Sequence, residues 1–97
     1  MLICFAGFEL IKRGVECDSS DTKLGKVRNV YTCAHLCEIK PGCKYFIVGN
    51  NGGWEKCYQE HTHTHTCPEG WDLDTYDFYQ LKGILYKLCK YVLQIHF

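Results

Sequence analysis

The chain lacks most of the features that would assign it to a common functional class. Its eleven basic and eleven acidic residues cancel to a formal charge of zero, so nothing in the total draws it to nucleic acid or to an anionic surface. It has no Asn-x-Ser/Thr sequon, no low-complexity linker and no internal repeat. No G-x-S-x-G, P-loop or H-E-x-x-H pattern is present, and no catalytic residue or enzymatic activity is expected. Cysteine pairs spaced as C-x2-C or C-x4-C are also missing, which argues against a structural zinc site.

What the chain has in excess is cysteine, eight in 97 residues. A compact unit of this length buries only about 60 to 65% of its unfolded surface, so its core alone is marginal. An even, dense set of cysteines supplies the missing stability as disulfides. That chemistry implies a secreted or extracellular protein, or one held in the lumen of another oxidising compartment.

Residues 1–7 read as an N-terminal extension, either the stub of a secretory signal or the lead-in to a first strand. They lack a basic start, and their apolar run is short for a signal. Residues 8–13 alternate as a strand, with Phe8 and Leu10 on one side, and Gly14 closes it. Small, polar and charged residues from 18 to 26 predict a surface loop. Asn29 then offers an N-cap to a helix from Val30 to Lys40, which Pro41 and Gly42 stop. Two strand-like runs, 43–48 and 54–59, flank the turn-forming segment 49–53 and predict a hairpin. A polar stretch from 60 to 70 leads to a last strand at 75–81, rich in aromatic residues.

Cys33 and Cys37 lie one helical turn apart on one face, separated by about 6 Å of rise. If the hairpin folds about Asn51, Cys57 faces Tyr45, two residues and about 6.6 Å along the strand from Cys43. An antiparallel strand beneath the helix then favours Cys37 with Cys43 and Cys33 with Cys57. The hairpin centre is an assumption, so the crossed pairing stays open.

A helix carrying C-x3-C, then Pro41-Gly-Cys-Lys-Tyr-Phe46, then Glu55-Lys-Cys-Tyr58 before a closing Tyr76-Asp-Phe-Tyr79, resembles the PAN/apple domain over residues 8–81. The resemblance implies an α+β fold, a small disulfide-rich domain in which a short antiparallel sheet curls around one helix. It implies the nested bridges Cys33 to Cys57 and Cys37 to Cys43, and a further bridge mapping onto Cys17 and Cys67. Cys4 and Cys89 fall outside the pattern and are left to bond to each other or to stay reduced. The family also implies non-catalytic contacts with a protein or carbohydrate ligand.

Trp54, Tyr58 and Trp71, with Tyr76 and Tyr79, supply aromatic surface for stacking a sugar or anchoring a protein, with Lys44, Glu55 and Lys56 as rim. Packing of two or three of these aromatics on the sheet is the plainer use. His61, His63 and His65 alternate and would point one way on an extended strand, as metal ligands do. They fall in a polar Thr/His segment with no supporting carboxylate spacing beyond Glu60 and Glu69, so a solvent-facing loop is expected, with no metal or cofactor. Cys33 and His35, two apart on a helix, point in different directions and do not make a thiol nucleophile.

Residues 82–97 predict an amphipathic helix. At 100° per residue Ile84, Leu85, Leu88, Tyr91, Val92 and Ile95 share one face, opposite Gly83, Lys87, Lys90 and Gln94. It would be about 24 Å long, too short to span a bilayer, and is expected to dock on a partner or a membrane surface, or to fold back over its own sheet. The expected function is a recognition module for a protein or glycan ligand, with no nucleic acid partner. The alternative is a small structural subunit held in an assembly, or on a membrane surface, through this tail.

Overall fold

The computed structural model describes residues 2–5, 7–82 and 88–91. Among them the order of elements is β1 (Leu2–Phe5), β2 (Phe8–Cys17), β3 (Asp21–Val27), α1 (Val30–Ile39), β4 (Tyr45–Gly49), β5 (Glu55–Glu60), β6 (Trp71–Leu81) and β7 (Leu88–Tyr91). Five strands form an antiparallel sheet in the order β2-β6-β4-β5-β3, while β1 and β7 pair as a separate antiparallel ribbon. With one helix on the sheet, this is a small disulfide-rich α+β domain.

β4 is the central strand, and its continuous apolar sequence follows from burial on both faces. Phe46 and Val48 face the helix, packing with Val27, Ala34 and the helix cysteines. Tyr45 and Ile47 face the other way, into a second cluster with Val15, Cys17, Cys67 and Phe78.

The helix covers the first face. Asn29 is extended, with φ −153°, and its Oδ1 accepts the Thr32 N–H at 2.9 Å. At the other end the Lys40 N–H donates to the Cys37 carbonyl before Pro41 ends the helix. Cys33 bonds Cys57 on β5 and Cys37 bonds Cys43 just before β4, with Cα separations of 5.6 and 5.2 Å. Closing these loops contributes about 3 to 4 and about 2 kcal/mol respectively in the chain-entropy model.

Among the described residues no helix covers the second face. β2 and β3 are opposite edges of the sheet, yet only residues 18–20 separate them in the chain, so the sheet curls enough to bring the end of β2 to the start of β3. Residues 61–70 plug the concave side. They are held by the Cys17–Cys67 disulfide, Cα separation 5.8 Å, and by backbone bonds from Asp18 N to Gly70 O and from His61 N to Ser20 O. Gly14 assists the curl: its φ of 70° forms a bulge where the register steps between Arg13 and Val15, and its N–H donates to Asp77 Oδ1 at 3.0 Å.

Four expectations are corrected. Gly14 does not close the first strand, because the bulge absorbs it and β2 runs on to Cys17. The expected loop at 18–26 is largely β3, an edge strand whose polar, lysine-bearing sequence reflects exposure while its backbone is satisfied by β5. The hairpin centres between Gly52 and Gly53, so Cys57 faces Val48 and not Tyr45. The nested pairing forms even so, because the helix bridges reach one cysteine on β5 and one before β4.

The tail is the fourth. Leu88 and Tyr91 lie in the strand β7, not in a helix, since pairing with β1 satisfies this backbone in a way that no helical wheel takes into account. Ile84, Leu85, Val92 and Ile95 lie outside the described residues.

The ribbon register sets Cys4 directly opposite Cys89. Peptide mapping without reduction should therefore recover a Cys4–Cys89 linked peptide beside the three bridges above; free thiols at both positions would refute this fourth bridge. Among double Cys→Ala variants of these three bridges, loss of Cys37–Cys43 should cost least in denaturant unfolding, about 2 kcal/mol, and loss of Cys17–Cys67 most, about 4 kcal/mol.

Candidate functional site

The expected aromatic platform is divided by the fold. Trp71 is half-buried, edge-on to Phe78 at 4.9 Å between centroids, with the Lys12 ammonium 5.3 Å from its ring. Tyr58 packs edge-on to Tyr76 at 6.2 Å, over the same cluster as Trp71. These two serve the concave core. Trp54 does not: it leaves the hairpin 62% exposed, with the Arg28 guanidinium 4.6 Å from its ring centroid.

Trp54 forms one wall of a groove of about 260 Å³, lined also by Lys26, Gly49, Asn51, Glu55, Lys56, Thr75 and Tyr76. Lys26 and Lys56 stand directly opposite each other on β3 and β5, and neither forms an ion pair among the described residues. Directly opposed like charges destabilise a strand pair. Glu55 tucks its carboxylate against Gly49, where any Cβ would collide with it, leaving Oε1 buried without a hydrogen-bond partner. Burial, together with neighbouring Tyr58 and Asp74, raises the Tyr76 phenol above its ordinary value, so at neutral pH it is a hydrogen-bond donor.

Of the expected rim, Glu55 and Lys56 are at this groove. Lys44 lies elsewhere, in a hollow of about 240 Å³ with Gly42, Gln59, Glu60, Thr62, His61 and His63. His61, His63 and His65 are exposed in the loop, and the chain turns between them, so they do not line up as on a strand. His61 Nε2 is hydrogen-bonded to Thr22 Oγ1 at 2.7 Å. Glu69 approaches the Cys17 and Cys67 sulfurs, but those are committed to their disulfide.

Lys26 and Arg28 were not singled out by the sequence, because residues 18–26 read as loop. The alternation of exposed Lys23 and Lys26 with less exposed Leu24 and Val27 is the signal that could have revealed a strand there. Glu60 stood out in the sequence only as a carboxylate beside the histidines. It ends β5 on the concave side, two residues after Tyr58, and is only 2% exposed. No family model matches the chain, and neither the curated proteins nor the solved structures contain a match to it.

Burial pushes the Glu60 carboxyl from 4.5 up to about 8; the Ser19 hydroxyl, donating to Oε2 at 2.7 Å, opposes the shift, while Asp21, Glu16 and Glu69 add to it. Burial and nearby Asp74, Asp21 and Asp72 raise Glu16 as well. Between the ordinary and raised values the native state holds more protons than the unfolded chain. This stability is therefore present in full at acidic pH and is lost as pH rises through about 8. In metal-free buffer the unfolding free energy should fall from about pH 5 to about pH 8 with a slope of at most about 1.4 kcal/mol per pH unit from Glu60, and Glu60→Gln should flatten it. A wild-type profile that is flat or rising over that range would contradict the assignment.

Proposed function

We propose that the chain is a non-catalytic extracellular recognition module, similar to PAN/apple domains in its helix-to-sheet bridges, that takes an acidic protein or carbohydrate ligand in the groove beside Trp54. The observation that carries this reading is an exposed tryptophan stacked by Arg28 and flanked by the opposed pair Lys26 and Lys56. Tryptophan and arginine are the residue types that most often dominate binding energy, and an anionic group between the two lysines relieves their repulsion. Three disulfides support the oxidising, extracellular-type setting. Among the described residues no helix is long and apolar enough to cross a membrane. The alternative of a subunit docked through residues 82–97 has no specific observation in its favour, since Leu88 and Tyr91 belong to a strand.

The test is surface plasmon resonance against an immobilised sulfated oligosaccharide and an acidic peptide. Binding of at least one should weaken with added salt, and should fall at least about tenfold in Trp54→Ala and in Lys26→Glu with Lys56→Glu, without a change in thermal midpoint for Trp54→Ala. Failure to bind either probe, or binding indifferent to these variants, would overturn the groove as the ligand site.

A further inference from the structure

We propose that Glu16, Asp21 and Glu60 form a calcium-binding site at the seam where the two edge strands of the curled sheet converge. The inference goes beyond the ligand groove and does not rest on it. One carboxylate oxygen from each residue lies within 4.8 Å of the others. They come from three different strands: Glu16 from the end of β2, Asp21 from the start of β3, and Glu60 from the end of β5, with Asp21 and Glu60 directly paired in register. The backbone therefore fixes their approach.

Glu60 supplies a second and independent observation. Its side chain is buried, its Oε2 accepts the Ser19 hydroxyl, and among the described residues its Oε1 has no hydrogen-bond partner. A buried, unpartnered carboxylate oxygen carries its full desolvation cost unless something occupies its lone pairs. No described lysine or arginine forms an ion pair with any of the three acids. Asp72 lies opposite Glu16 and adds to the negative field.

The donor set chooses the ion. All three ligands are carboxylate oxygens, which suit a hard cation and not the nitrogen- and sulfur-seeking transition metals. Calcium accepts six to eight oxygens in irregular geometry, completed by water on the exposed Asp21 side, whereas magnesium demands a near-ideal octahedron. Glu60 would anchor the ion from inside, Asp21 from the rim, and Glu16 across the seam.

Isothermal titration of the full chain, stripped with chelator and held at about pH 8.5, where the buried Glu60 carboxyl is largely ionised, tests this with calcium chloride in one arm and magnesium chloride in another. The expected result is a single calcium site with Kd on the order of 10⁻⁴ to 10⁻³ M, tighter than for magnesium, and a thermal midpoint that rises with calcium but not with sodium chloride of equal ionic strength. Glu60→Gln and Asp21→Asn should each weaken binding at least about tenfold, while Glu9→Gln, remote on β2 and paired with Lys82, leaves it unchanged. Asp21 is exposed, so Asp21→Asn remains decisive if Glu60→Gln does not fold. Absence of saturable calcium binding, magnesium binding as tight as calcium, or undiminished affinity in Asp21→Asn would overturn the site and leave the groove reading untouched.

Discussion

Among the described residues one helix of ten residues covers only one face of a five-stranded sheet, and the rest of the structure answers to that shortage. A sheet with an apolar second face must bury it, and no second layer is supplied among the described residues. The chain solves this by curvature: a bulge at Gly14 and a three-residue link between β2 and β3 turn the sheet's second face inwards upon Tyr45, Ile47 and Phe78. What remains open is closed by a polar loop that has little apolar surface of its own, so a covalent bond holds it there. The Cys17–Cys67 bridge stands in for the missing layer, as Cys33–Cys57 and Cys37–Cys43 stand in for a larger helix interface.

The functional features follow from the same geometry. β3, the edge strand that begins three residues after β2 ends, has Asp21 at one end and Lys26 near the other, about 17 Å apart along an extended strand. Its neighbour β5 repeats the arrangement, with Glu60 at the end beside Asp21 and Lys56 opposite Lys26. A chain of zero formal charge thus presents an acidic seam at one end of a strand pair and a basic, tryptophan-walled groove at the other. The two patches belong to the strands that the helix ties down through Cys57, so neither depends on loop residues alone for its placement.

Much of the fold was legible because local signals and covalent constraints coincided. Asn29, Pro41 and the one-turn spacing of Cys33 and Cys37 define a helix and the face it buries, and the hairpin after it is marked by five turn-forming residues. What escaped was set by pairing across distance. β3 has the composition of a loop because it is an edge, Gly14 looks like a terminator because a bulge needs the same backbone freedom, and Leu88–Tyr91 fits a helical wheel although β1 claims its backbone. The candidate site was partly visible for the same reason. Trp54 could be named from composition, but its separation from Tyr58 and Trp71, the Lys26–Lys56 opposition and the burial of Glu60 all depend on register, which shifts with the hairpin centre.

The account makes Cys17–Cys67 the closure of the concave face, separate from the helix face. Hydrogen exchange of the wild type and of Cys17→Ser with Cys67→Ser measures this directly. The account predicts that protection falls in residues 61–73 and at the end of β2, while α1 and the β4–β5 pair beneath it keep theirs. Uniform loss of protection, or none in the loop, would contradict it.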